Sequence, residues 1–431
     1  MLAHTRRFRA YSVYLILEGL YGLAFTVTTT VNLLYQLEIA KLNPLQLVLV
    51  GTVLETTAFL CQVPTGVLAD LYSRRLSVVI GIVLTGLGFI LEGSIPTFWA
   101  IAGGMVFYGV GATFVSGAEE AWLADELGEE EVGRAFVRGS QFSQAGCVLG
   151  AFSSVALASI RLNLPVIVGG CLIVLLGLFL PLVMPEHGFT PPPKEERQSW
   201  RGFATTFQAG FRAAWASPML LLILGVGLFY GLASEGFDRL GQPHLQADFA
   251  LPPLGPFAPI VWFGLISVLG NLLVIGATEL ARRQCNLDNQ RTTIRVLLAL
   301  NLLGMLGLLV FAFSGNFSLA VAAFWIVGIF RGVKSPLFTA WLTRNSEPRV
   351  RATLISLAGQ MDAIGQIIGG PPVGYLGAIF SLRVALASLS AILAPVLLLY
   401  AAALRRVRGE PITRSPRGGQ GTEVETCSVS S

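Results

Sequence analysis

Apolar residues run along this chain in blocks of about 20, the length a helix needs to cross a hydrocarbon layer roughly 30 Å thick. Twelve blocks alternate with short polar stretches: Tyr11 to Gln36, Leu45 to Ala69, Leu76 to Gly93, Phe98 to Ala118, Gly139 to Ile160 and Leu164 to Met184, then Pro218 to Phe237, Ala258 to Ala281, Ile294 to Phe313, Phe317 to Ala340, Ala352 to Ala378 and Leu382 to Leu404. The pattern predicts an all-α membrane protein with twelve transmembrane helices in two six-helix halves, residues 1–184 and 218–404. The stretch 185–217 between them is polar, with Pro191-Pro192-Pro193 and a charged run ahead of Phe203, Phe207, Phe211 and Trp215. Aromatic residues four apart predict an amphipathic helix lying in the membrane interface within a cytoplasmic linker. Residues 405–431 begin basic and end in Gly, Ser, Thr and Glu, which predicts a disordered tail.

Composition agrees with that reading: 54% of residues are hydrophobic and 13% charged, against about 25% charged in soluble domains. Arg6, Arg7 and Arg9 lead into an apolar run too long for a signal peptide, so the first span is expected to be retained. The five cysteines have no paired spacing and indicate neither disulfides nor zinc. There is no Walker loop, His-Glu-x2-His, Cys-x2-Cys or Gly-x-Ser-x-Gly, so no enzyme chemistry, cofactor or metal is expected. The arginines are dispersed rather than clustered on one surface, which argues against nucleic acid as a partner.

The placement of the 29 lysines and arginines predicts an orientation. With the amino terminus inside, Arg74, Arg75, Arg134, Arg138, Arg282, Arg283, Arg344 and Arg405 share the cytoplasmic side with most of the others. Only Lys41, Arg161, Arg239 and Arg383 fall in loops outside. Basic residues mark cytoplasmic loops, so both termini are expected in the cytoplasm, with the protein in the cell membrane.

The two halves echo each other at a nearly constant spacing of about 210 to 220 residues, as parallel repeats of a six-helix unit do. Tyr21-Gly22-Leu23-Ala24 recurs as Tyr230-Gly231-Leu232-Ala233, and Ala121-Trp122-Leu123 as Ala340-Trp341-Leu342. Gln141, Gly146 and Gly150 recur as Gln360, Gly365 and Gly369. Pairs such as Gly146-x3-Gly150, Gly227-x3-Gly231, Gly328-x3-Gly332 and Gly365-x3-Gly369 predict close helix approaches.

Between the second and third spans, Gly66, Asp70, Arg74 and Arg75 form Gly-x3-Asp-x3-Arg-Arg. This resembles the signature loop of the major facilitator superfamily, and in particular of its bacterial multidrug/proton antiporters. The resemblance implies a twelve-helix secondary transporter whose signature loop lies on the cytoplasmic side. It further implies that Asp70 sits against the amino end of the eleventh span, near Arg351 to Leu354, and biases which face is closed. Arg75 is expected to pair with Asp125 beyond the fourth span.

Ionisable groups within spans are costly and tend to face water or protein. Glu55, Asp362 and Arg331 fall nearest the membrane midplane, with Glu18 in the inner third and Glu235 in the outer third. Glu119 and Glu120 close the fourth span, and Lys334 lies one turn beyond Arg331. Buried carboxyls can hold and exchange a proton, so Glu18, Glu55, Arg331 and Asp362 are the candidate substrate and proton-coupling residues. Arg331 and Asp362 are expected either to pair with each other or to leave Asp362 free to titrate.

The function expected is alternating-access transport of a small molecule by a monomer in the lipid bilayer, as proton-coupled export of amphipathic or cationic compounds. A sugar or organic-acid uniporter or symporter is the alternative transport reading. A non-transporting membrane sensor on the same fold is the alternative of another class.

Overall fold

Three consecutive threonines decide where the first span breaks. The hydroxyls of Thr28, Thr29 and Thr30 each donate to the carbonyl four residues back, which competes with the helical ladder. The helix Leu2–Thr29 gives way there to a short helix, Asn32–Glu38. The second span, Pro44–Leu71, starts from an Asn43/Gln46 capping box, and the third, Arg74–Ser94, from the Ser73 hydroxyl. The fourth breaks at Gly117, whose φ of 79° suits glycine, into Phe98–Val115 and Ala118–Leu127.

The computed structural model describes residues 2–189, 212, 215–252, 258–284, 289–347 and 350–409. Most of the expected interfacial helix and the tail beyond residue 409 lie outside the described residues, while residues 405–409, expected in the disordered tail, instead continue the last helix. The fifth and sixth spans are Glu129–Ala158 and Leu164–Val183. The seventh to twelfth are Pro218–Ala247, Ala258–Gln284, Gln290–Phe313, Phe317–Arg344, Arg351–Ile379 and Leu382–Gly409. Among the described residues, ten helices are long and apolar enough to cross a membrane. The fifth and eleventh are long enough but more polar. The fifth carries Glu129 to Glu131, Arg134, Arg138 and Gln141, and the eleventh carries Gln360, Asp362 and Gln366.

Those two helices pack by their glycines. A Cβ at Gly146 or Gly150 would meet the backbone of the first span at Gly19 and Leu23, and one at Gly365 or Gly369 would meet the seventh at Leu228 to Leu232. The repeated sequence thus makes repeated contacts. The other glycine pairs are less uniform: Gly231 lies against the Asp362 backbone, whereas Gly328 faces open space.

Buried side chains form one cluster around Tyr14, Leu17, Phe89 and Trp122 in the first half. A second, around Tyr230, Phe311, Trp341 and Tyr400, occupies the other half and takes in Val48 of the second span. Trp122 and Trp341, equivalent in the repeat, are both fully buried.

The halves meet at the end away from the termini. There Gly370 and Gly374 of the eleventh span pack on Leu45, Val48 and Thr52 of the second, and Gln246 Nε2 donates to Glu38 Oε1 at 2.6 Å. Toward the terminal end, Gln360 Nε2 still donates to Gln62 Oε1 at 2.8 Å. Beyond it, Gly66 has open space around it.

Candidate functional site

The seventh span continues to Ala247, beyond the expected end at Phe237, and this extension builds much of the site. It carries Asp238 and Arg239 into the helix, so Arg239 is not the external loop charge expected from the sequence. Tyr230, Ser234 and Asp238 recur every four residues and so share one helix face. On the tenth span Arg331, Lys334, Ser335 and Phe338 do the same, and Asp362 and Gln366 face them from the eleventh.

All of these but Phe338 line a cavity of about 430 Å³. A second cavity of about 320 Å³ shares Tyr230, Lys334, Ser335 and Asp362 and continues past Gly227, Leu342 and Gly359 toward the terminal ends of the helices. The lining side chains of both belong to the second half, rather than being drawn equally from the two.

Arg331 and Asp362 do not pair. The Arg331 guanidinium grips Asp238 with two hydrogen bonds, Nη2 to Oδ2 at 2.7 Å and Nη1 to Oδ1, and lies over the Phe237 ring at 5.4 Å. Geometry explains the choice, because a fork of parallel N–H bonds matches a carboxylate edge. Asp362 instead accepts a hydrogen bond from Gln366 Nε2 at 2.8 Å. Lys334 places its ammonium 3.7 Å from the centre of the Tyr230 ring, a cation–π contact. Tyr230 is held in turn by a 2.8 Å hydrogen bond between its hydroxyl and that of Tyr400.

Glu55 is half-buried on the second span, with Glu235, Asp362, Arg239 and Asp238 as its charged surroundings. Glu18 is not part of this site. It lies in the first half near Tyr14, Glu119 and Glu120. At the closed end, Glu235 bonds Arg239 at 2.9 Å in a space that exists because residues 51 and 370 are glycines: a Cβ at Gly51 would overlap the Glu235 carboxylate.

The signature loop is tied into its own half. Arg74, not Arg75, reaches Asp125, and it also donates to the Ala121 carbonyl at 2.8 Å. The register follows from the helix start: Arg74 is its first residue, and Arg75 turns instead to the Met184 carbonyl at 3.1 Å. Glu186 accepts from the Ser73 hydroxyl and the Arg75 N–H. Asp70 is not held against the eleventh span as expected. Its side chain is 66% exposed and its ion-pair partner is Arg74, 3.8 Å away.

Sequence reasoning missed Asp238, Gln366 and Tyr230. The four-residue stripe from Tyr230 to Asp238 was the available signal, obscured by ending the span at Phe237. It also missed Glu92, which is fully buried at the closed end and accepts from Gln36 Nε2 at 2.7 Å. Among the described residues, no three His, Cys, Asp or Glu side chains converge to hold a metal ion.

A sequence model of the Major Facilitator Superfamily matches residues 15–294. The chain is 23% identical over 376 residues to the "Uncharacterized MFS-type transporter YxaM" of Bacillus subtilis (strain 168), covering 86% of this chain and 90% of that protein. It is similar in fold to the nucleoside transporter NupG, with a TM-score of 0.73 and 14% identity over 91% of this chain and 99% of that one. It is equally similar to a bacterial homologue of the human lysosomal transporter Spinster, inward-facing and unoccupied, with a TM-score of 0.73 and 15% identity over 93% of this chain and 97% of that one.

Proposed function

Since the chain belongs to the major facilitator superfamily, whose members are secondary transporters, we propose that it carries small amphipathic solutes out of the cell in exchange for protons, by alternating access through the charged cavity of its second half. The observation that carries this reading is the opposite state of the two ends. The cavity around Asp362 continues toward the terminal end, where Gly66 and Asp70 are open, while the halves are packed together at the other end. Such a structure is one of the two states an alternating-access carrier visits. The aromatic walls contributed by Tyr230, Phe237 and Phe330 suit an amphipathic solute. Asp362, whose hydrogen-bond partner is an amide, and Glu55 are the groups we assign to the proton. Accumulation of a panel of dyes and antibiotics, measured with and without the protein and a proton uncoupler, tests the reading. An uncoupler-sensitive fall in accumulation supports export, raised uptake reverses the direction, and no flux of any compound leaves a sensor on the same fold.

In this reading both termini are cytoplasmic and the protein works as a monomer in the cell membrane. In a background with the native cysteines replaced by serine, a cysteine at exposed Thr97 should react with a membrane-impermeant maleimide in intact cells, whereas one at Tyr72 should not. The reverse pattern would invert the orientation.

Asp70 acts, in the same reading, when the terminal end closes. A carboxylate docked at a helix amino terminus stabilises it by roughly 0.3 to 1 kcal/mol, more when partly buried. Asp70→Asn should therefore leave the melting temperature of the purified protein within about 1 °C, because the group is exposed in the open state and exposed ion pairs contribute little. Turnover should fall several-fold. Wild-type turnover would reduce the loop to a topological role.

A further inference from the structure

We propose that the cavity selects solutes bearing one negative and one positive group, the first bound by Lys334 and the second by Asp362, with the apolar body on Tyr230, Phe237 and Phe330. The inference rests on the transport reading and adds the class of solute to it. Four ionisable side chains line the space: Asp238, Arg331, Lys334 and Asp362. Two of them neutralise each other, since the Asp238 carboxylate is occupied by both arms of the Arg331 guanidinium. The other two remain uncommitted. Among the described residues the Lys334 ammonium has ring contacts with Tyr230 and Phe330 but no carboxylate within ion-pair reach. Asp362 has the Gln366 amide but, among the described residues, no base within ion-pair reach.

An ammonium offers three donors and a carboxylate about four acceptor sites, so each is incompletely used. Where no solute is bound, water would serve both. When a solute fills the space that water leaves, and a charge stripped of water without a partner is strongly unfavourable. A solute with only a positive group would satisfy Asp362 and strand Lys334, and a purely anionic one would strand Asp362. A zwitterion compensates both. A cavity of about 430 Å³ has room for a solute the size of an amino acid or a small drug. This narrows the amphipathic or cationic solute expected from the sequence to one that carries both charges.

The test uses the purified full-length protein in lipid nanodiscs and four probes sharing one phenyl ring: phenylalanine, phenethylamine, 3-phenylpropionate and 3-phenylpropanol. Thermal stabilisation by each is titrated at neutral pH. Phenylalanine should show an apparent affinity at least tenfold tighter than the other three. Lys334→Ala should remove its advantage over phenethylamine, and Asp362→Asn its advantage over 3-phenylpropionate. Lys334→Arg, which keeps the charge, should retain the preference and guards against an alanine variant that fails to fold. The proposal is overturned if either singly charged probe matches phenylalanine at neutral pH, if no probe stabilises the protein, or if the preference survives both substitutions. Each of these outcomes leaves the transport reading to its own flux measurement, which does not depend on these probes.

Discussion

Replacing Asp362 with asparagine is expected to abolish proton-driven flux, while energy-independent exchange of solute across the membrane persists at the higher solute concentrations that its weakened binding requires. The substitution keeps the shape and the contact with Gln366 but removes the carboxylate that takes up and releases the proton in this reading. Asp362 lines both parts of the cavity, so it is placed to meet both solute and the water at the open terminal end. Glu55, across the interface among the same charges, is the second candidate, and Glu55→Gln should produce a partial loss. Flux in proteoliposomes, measured against pH for Glu55→Gln, Asp362→Asn and the double variant, separates the possibilities. A flat profile in Asp362→Asn supports the assignment, and wild-type pH dependence in all three variants removes it.

The second large effect is expected at the closed end. Glu235 and Arg239 are four residues apart on one helix, so their ion pair would survive separation of the halves. What closure changes is their surroundings. The Glu235 side chain is 5% exposed and that of Arg239 19%, pressed into the space left by Gly51 and Gly370. Glu235→Gln would leave the Arg239 charge nearly buried and uncompensated in the closed arrangement but solvated in the open one. Breaking a buried pair in this way costs about 3 kcal/mol, which would move the population roughly 100-fold toward opening at that end. Spin labels at Thr97 and Gly315, one on each half, should report a longer distance in Glu235→Gln. Glu235→Gln with Arg239→Gln, which removes both charges, should restore the shorter one. An unchanged distribution in the single variant would show that the pair does not contribute to the seal.

The hydrophobic pattern was sufficient to define the architecture because hydrocarbon leaves the backbone few options: a spanning segment must satisfy its own hydrogen bonds, and helices of about 20 apolar residues do so. The internal repeat was equally legible, since Gly146 and Gly365 are constrained by the same close approach to a neighbouring backbone. The same two helices show where hydropathy alone falls short. The fifth and eleventh spans carry glycines at the contacts between helices and charged or amide side chains on their other faces, so they are less apolar than the other ten long helices.

What the sequence could not supply was partnership. Arg331 and Asp362 were correctly marked as charges within spans, yet the arginine chose Asp238, a residue the expected end of the seventh span had excluded. Likewise Arg74 rather than Arg75 took Asp125, because the start of the third helix determines which arginine points along the protein surface. Asp70, expected against the eleventh span, stands exposed beside Arg74. Periodicity and charge bias are local properties of a chain in a bilayer, and the sequence by itself determined the spans, the repeat and the candidate charges. Which charges neutralise each other, and which end of the molecule is closed, depend on distances between helices far apart in sequence; only the tertiary structure decided those.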